Sequence, residues 1–471
     1  MLRIIYVMFK QITGLNRPLS LASVYFFFAA IMVVICALIT PPGQTPDELT
    51  HFARATQISQ GGIIGLRLSP QNSGGMLPSH FTPGFTGFDD LPFQPQRHVD
   101  VSHLDALRDV HWNKERSFVG FANTVIYAPF TYLPGALTIA SGRLTRMTVL
   151  QTSYAVRLVN GFLTILLFAG GIALARRGVP LLVLVASMPM TMALAASWSQ
   201  DGVLIGLSIL TVGILTRFNS VSEITTRNWI FITGIFAILA VSKPTLLFCS
   251  LIPAAFMLER KKLLAFLPFG ASVCAIVIWS QIGIKPVKIQ FLPEVGVSDS
   301  GQVHWLLTHI TSIPRLAIST LRQNGEGYLG QWIGVLGWLD APLPSRFYKL
   351  VFIMLAGAVL LPVITGRGKT TTLQTKLCSI FTVLAFLLGS GMVFFSLYVI
   401  WTKVGAPVID GVQGRYFLPL VAFLALLFPQ VRQKGQIVPS LGIHQITVII
   451  VGIYFAIDAV TITNVLTARY W

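Results

Sequence analysis

Charge is scarce in this chain: Asp, Glu, Lys and Arg make up 11% of 471 residues, against 54% hydrophobic. So few charges cannot solvate the surface of a soluble protein of this size, which excludes an aqueous globular domain. Acidic residues are the scarcer kind, 17 against 34 basic, leaving a net charge of +17. That excess invites nucleic acid as a partner, but its distribution, described below, argues against it. Cysteine is scarce as well. Cys36, Cys249, Cys274 and Cys378 all sit in apolar runs, so the sequence offers no extracellular disulfide pair and no metal-ligand spacing. The chain also lacks a Gly-rich phosphate loop, an internal repeat and any low-complexity tract, which sets aside nucleotide hydrolysis and repeat architectures.

What is abundant is apolar sequence in runs of membrane-spanning length, about 20 residues each. The first, Leu21 to Thr40, follows Arg3, Lys10 and Arg17 and reads as an uncleaved signal anchor: the run is long, no A-x-A pattern follows, and Pro41-Pro42 come next. Fifteen Lys and Arg lie in the N-terminus and five short connections: Arg176-Arg177, Arg217 with Arg227, Arg260-Lys261-Lys262, Arg367/Lys369/Lys376 and Arg432/Lys434. Only Glu223 and Glu259 oppose them. This is the positive-inside pattern, so the charge orients spans rather than binding a polyanion. Placing these connections in the cytosol gives an all-α polytopic membrane protein of one domain. About 11 transmembrane helices fall near 21–40, 157–175, 179–197, 202–217, 229–242, 244–258, 263–283, 347–365, 378–400, 416–430 and 441–463. The N-terminus is then inside a bacterial cytoplasmic membrane. Residues 123–142 are apolar, yet a crossing there would flip every later basic loop outside. They are expected to form a re-entrant or interfacial hairpin. Two long extracytoplasmic segments remain, a large first loop at 41–156 and a second at 284–346, and binding or chemistry is expected there.

After the first span, Thr45, Pro46 and Glu48 have the spacing of a capping box, and Gly61 supplies a stop. A juxtamembrane helix is therefore expected, with Leu49, Phe52, Ala53 and Ile58 resting on the membrane and Asp47, His51 and Arg54 on the opposite face. Glu48 has a capping task; Asp47 has none. A carboxylate at the membrane boundary beside a histidine is placed to act as a general base toward an acceptor hydroxyl, although Asp in a first turn also favours the helix dipole. Polar groups also open three later spans at their outer ends: Asp201 in Ser197-Trp198-Ser199-Gln200-Asp201-Gly202, Lys243 before Pro244, and Arg415 in Gly411-Val412-Gln413-Gly414-Arg415-Tyr416. Helix N-termini with added Lys or Arg suit phosphate, so a phosphate-bearing ligand is implied. The plainer alternatives are an N-cap for Asp201 and a snorkelling anchor for Lys243. Outer aromatics such as Tyr132 and Trp338 suit sugar stacking or an interfacial belt equally well. The stretch from Gly330 to Asp340, with alternating Gly and Trp, suits a cavity lining. Asp458, within the last run, is a buried carboxylate of functional interest or a solvated one near the outer interface.

Taken together, these motifs resemble a bacterial family of polytopic membrane proteins of unknown function that is grouped with the GT-C class of lipid-sugar glycosyltransferases. The resemblance runs nearly end to end. It rests on Pro46-Asp47-Glu48-x-x-His51, Tyr127-x-Pro129-x-x-Tyr132-x-Pro134, Asp201, Lys243-Pro244, Gly334-x-x-Gly337-Trp338-x-Asp340 and Gln413-Gly414-Arg415-Tyr416-Phe417-x-Pro419. It implies a GT-C-like bundle holding a polyprenyl-phosphate-linked sugar, with Asp47 as general base assisted by Glu48 or His51. Arg415 and Lys243 would stabilise the departing phosphate. Asp201, Gln413, Tyr416, Trp338, Asp340 and Tyr132 complete the implied binding set. Some members of that class place a divalent cation between acidic residues and phosphate; Asp47, Glu48 and Asp201 have the chemistry for it, but no spacing demands it.

The expected function is transfer of a sugar from the lipid phosphate to a cell-envelope glycan, an O-antigen or wall polymer. Expected partners are donor, glycan acceptor and bilayer, with no nucleic acid. The competing readings are a transporter or flippase and a polymerase of lipid-linked glycans. A transporter would place polar groups near the bilayer midplane, whereas here they cluster toward the outer side.

Overall fold

A computed structural model describes residues 20–218, 224–256, 262–365, 373–428 and 441–471. The charges at Arg3, Lys10, Arg17, Glu223, Glu259, Arg260, Lys261, Arg367, Lys369, Arg432 and Lys434 lie outside the described residues. The chain runs α1 (Leu21–Ile39), α2 (Glu48–Ser59), β1 (Leu66–Ser69), β2 (Asn72–Pro78), α3 (Val101–Leu107), β3 (Arg116–Gly120) and α4 (Leu133–Leu144). It continues through α5 (Val149–Leu174), α6 (Val179–Ser187), α7 (Pro189–Ala195), α8 (Asp201–Leu215), α9 (Thr226–Ser242) and a 3-10 helix, Pro244–Phe256. The remainder holds α10 (Leu267–Trp279), α11 (Asp299–Thr308), α12 (Ile313–Gly334), β4 (Val335–Leu336), β5 (Ala341–Pro342), α13 (Ser345–Thr365), α14 (Leu373–Ile400), α15 (Leu418–Phe423) and α16 (Leu441–Tyr470).

Among the described residues, five helical stretches are long and apolar enough to cross a membrane: Leu21–Ile39, Val149–Leu174, Leu263–Ile284, Thr375–Ile400 and Gln445–Tyr470. Several other expected spans are shorter or broken, for visible reasons, while the one at 347–365 is a continuous helix, α13. The run at 179–197 splits at Met188, which is extended (φ −63°, ψ 142°) before Pro189, because a residue preceding proline is pushed out of the helical region. The run after Lys243 is wound as a 3-10 helix with Pro253 inside it. At 15 residues, α8 rises only about 22 Å, short of a hydrocarbon core about 30 Å thick. The stretch at 123–142 becomes turns and the 12-residue α4, also too short to cross.

An all-α architecture misses one feature. β1, β2 and β3 form an antiparallel sheet over α2, with Gly74 paired to Leu66 on one side and Gly120 on the other. A Cβ at Gly74 would collide with the Val119 carbonyl, so this strand position admits only glycine. The sheet and the chain around it bury α2. Phe52 stacks on Phe81, crosses Phe85 edge-on and tilts against Trp198 with ring centroids 4.5 Å apart. Phe52, Ala53, His51 and Arg54 are all buried, so α2 is enclosed rather than resting on a membrane with one polar face in water.

The directions expected for the apolar runs agree with how their ends gather. The end of α1, the starts of α5 and α8, the end of α9 and the turn before α15 meet at one end of the bundle, as the contacts below show. At the other end the backbone of Arg176 donates to Thr216 Oγ1 at 3.0 Å, and Arg177 reaches Cys378 Sγ at 3.7 Å. The Arg176-Arg177 connection and the polar cluster thus occupy opposite ends.

Candidate functional site

α2 begins at Glu48, later than the capping box implies, with Asp47 as N-cap in the left-handed conformation (φ 61°, ψ 9°). The cause is a buried ion pair. Arg157, on α5, donates from Nε to Glu48 Oε1 at 2.8 Å and from Nη2 to Oε2 at 2.6 Å. The same guanidinium donates to the carbonyls of Ala37 (3.1 Å), Thr40 (2.5 Å) and Pro41 (2.8 Å) at the end of α1. Glu48 also accepts from the Thr45 N–H at 3.2 Å, the reciprocal half of the box, and from the Trp198 N–H at 3.1 Å. Both side chains are buried. One two-residue cluster therefore ties together α1, α2, α5 and the turn entering α8. Sequence reasoning missed Arg157, which it counted as the first residue of a span. A basic residue inside an apolar run, nine positions after Thr148, which with Gln151 closes a full capping box, was the available signal.

Held between Glu48 and that turn, two carboxylates face one arginine. Arg415 Nη2 donates to Asp47 Oδ2 at 2.6 Å, and its Nη1 donates to Asp201 Oδ2 at 3.1 Å. Lys243 Nζ donates to Asp201 Oδ1 at 3.2 Å. Gln413 Oε1 accepts from Arg415 Nε at 2.6 Å, while Asn123 donates to Asp47 Oδ1 at 3.1 Å. The Tyr416 ring lies under both cations, 5.1 Å from the Arg415 guanidinium carbon and 4.9 Å from Lys243 Nζ. Asp47, Asp201, Lys243, Gln413, Arg415 and Tyr416 are thus brought together from four parts of the chain. Two acids and two bases balance in charge. Their exposure differs in a way that matters: side chains of Arg415, Asp201 and Lys243 are 2%, 8% and 14% exposed, while Asp47 is 30% exposed and forms the open side. Asn123 carried no signal in the sequence.

His51 and Tyr132 adjoin this cluster. His51 Nδ1 and the Tyr132 hydroxyl share a 2.7 Å hydrogen bond, and the imidazole stacks on Tyr127 with 7° between planes. Burial pulls the His51 pKa down to about 4, the charges of Asp201 and Asp47 acting the other way. His51 is therefore neutral at neutral pH and a weak base. Glu48 is engaged by Arg157 and by the N–H groups of Thr45 and Trp198.

Trp338 and Asp340 lie elsewhere. Trp338 Nε1 donates to the Gly43 carbonyl at 2.8 Å. Asp340 accepts from Arg469 Nη2 at 2.7 Å and from the Phe93 N–H at 2.9 Å, tying α16 to the first loop. Asp458 is fully buried; neither carboxylate oxygen has a hydrogen-bond partner among the described residues. Asp47 and Asp201 are held by Arg415 and Lys243, Glu48 is enclosed by Arg157, and the described residues hold no cluster of three metal-ligating side chains.

Beside the cluster, α12, α13, α14 and the segment after Arg415 line an open apolar cavity of about 890 Å³. Phe417, two residues from Arg415, lines it, with Phe394, Leu424 and Gly325. Trp332 Nε1 and Ser390 Oγ, both on lining residues, are buried without a hydrogen-bond partner among the described residues.

Apolar helices of spanning length and an ionic site gathered at one end of the bundle define a helical membrane protein. The model of the family of predicted membrane proteins DUF2142 matches residues 27–424, and the chain belongs to that family. No curated protein matches it.

Proposed function

We propose that this chain is a membrane glycosyltransferase that moves a sugar from a polyprenyl-phosphate-linked donor to a cell-envelope glycan, on the extracytoplasmic face of a bacterial cytoplasmic membrane. The observation that carries the reading is the Asp47–Arg415–Asp201–Lys243 cluster, with its one open carboxylate. The apolar cavity beginning at Phe417 adds room for a long hydrocarbon tail next to it.

In this reading the donor phosphate competes with Asp47 for Arg415. Asp47, released from its 2.6 Å ion pair, is left with a carboxylate oxygen free to accept a proton. The acceptor hydroxyl oxygen forms a bond to the anomeric carbon as the bond from that carbon to the phosphate oxygen breaks. The hydroxyl proton passes to Asp47, and the bonding electron pair leaves on the lipid phosphate, where Arg415 and Lys243 compensate the charge. Asp201 keeps both cations charged and aimed; it touches no reacting atom. Neutral His51 with Tyr132 walls the base.

The test is Asp47→Asn in protein reconstituted with lipid-linked donor and acceptor. Transfer is expected to fall about 10²–10⁴-fold, the usual worth of a general base, with expression and insertion unchanged. Unchanged transfer dismisses the base, and passage of labelled lipid-linked sugar across the bilayer without any transfer dismisses the enzyme.

A further inference from the structure

A second pocket of about 320 Å³ lies between α12 and the loop before Arg415. Gln323, Asn324, Tyr328, Gln331 and Asp410 supply its polar side chains, with Gly327 on its wall. Its chemistry differs from that of the ionic cluster. Each amide both donates and accepts, as a sugar hydroxyl does. Asp410 is the only ionised side chain among the lining residues and repels phosphate. The volume lies at the lower end of the roughly 300–1,000 Å³ typical of ligand pockets.

Gly327 strengthens the case. It stands inside a 22-residue helix, where glycine is disfavoured relative to alanine. A Cβ there would meet nothing within 4 Å, so no packing requires the glycine; it leaves volume open. The pocket is also coupled to the cluster. Gln331, which lines it, accepts from the Gly414 N–H at 2.8 Å, one residue from Arg415, and Tyr328 lines both this pocket and the apolar cavity.

We infer that the pocket at Gln323, Asn324, Tyr328, Gln331 and Asp410 is a saccharide site, taking neutral hydroxylated rings of the acceptor glycan and separate from the phosphate-directed cluster at Arg415. That the bound glycan is the acceptor rests on the transferase reading; the saccharide site stands on its own geometry.

Saturation-transfer NMR on the detergent-solubilised full chain tests it, with the methyl glycosides of glucose, galactose, mannose, rhamnose and N-acetylglucosamine at tens of millimolar, and inorganic phosphate as competitor. At least one glycoside is expected to bind. Its affinity should fall at least tenfold in Gly327→Leu, which fills the pocket, and in the double variant Gln323→Ala/Asn324→Ala, which removes hydrogen bonds without adding volume. Asp47→Asn should leave binding intact, so loss of transfer and loss of sugar binding report on different claims. Binding by none of the glycosides overturns the inference, as does competition by phosphate or binding unaffected in variants whose melting curves match the parent.

Discussion

Replacing Glu48 and Arg157 together distinguishes a plain ion pair from a backbone tie. A buried pair exchanged for apolar residues of similar volume is often neutral in stability, whereas removing one partner costs about 3–5 kcal/mol. The cluster here should not follow the first rule. Arg157 also satisfies the carbonyls of Ala37, Thr40 and Pro41, and Glu48 also satisfies the N–H groups of Thr45 and Trp198. In Glu48→Leu/Arg157→Met all five backbone groups lose those partners in a buried region; Pro41 keeps the Gln44 N–H as a donor at 3.2 Å, and the other four cost about 1 kcal/mol or more each. The double variant is therefore expected to lose at least about 4 kcal/mol, close to either single variant. Unfolding of detergent-solubilised protein by rising SDS fraction, followed by circular dichroism, gives the three values. A double variant within about 1 kcal/mol of the parent would refute the reasoning, because the backbone groups would then be finding other partners at no cost.

Other outcomes follow from the site. Removing a phosphate-stabilising donor in Arg415→Met should lower the transfer rate constant about 10²–10³-fold in the reconstituted assay; a change confined to KM would reassign Arg415 to ground-state binding. Gly325→Leu projects into the apolar cavity, where a Cβ meets nothing within 4 Å. It should raise KM for the lipid donor while leaving KM for the acceptor glycan alone, and equal rises in both would place the tail elsewhere. His51 gives stability a pH dependence of known sign. Its folded pKa of about 4 lies below the ordinary histidine value of 6.5, so the unfolded chain takes up the proton first. The stabilisation is complete above about pH 6.5 and is lost as pH falls toward 4, by on the order of 3 kcal/mol. Unfolding curves of the parent and His51→Gln should converge across that window, and parallel profiles would show that His51 is not desolvated.

The end of the bundle where the site forms was legible because Lys and Arg in short loops fix the direction of each apolar run. Asp47, Lys243, Asp201 and Arg415 each fell next to a run end of the same orientation, and the cluster joins them. Hydropathy alone could not say how those runs are wound. Pro189 and Pro253 stand in the sequence, but apolar content is the same for a straight helix, a broken one and a 3-10 helix. The Glu48–Arg157 contact spans 109 positions, and no local pattern encodes a pairing that depends on how α2 and α5 dock. The motif at Trp338 and Asp340 was visible, yet its partners Gly43 and Arg469 were not, since each lies in a distant segment whose approach is a matter of tertiary packing.

The left-handed backbone at Asp47 narrows the alphabet available to that position. Only glycine, asparagine and aspartate adopt that conformation at little cost, and aspartate alone of the three carries a negative charge. A longer acid would strain the turn and overshoot Arg415, so a glutamate swap here is no mild change, while asparagine silences the carboxylate on an undisturbed main chain.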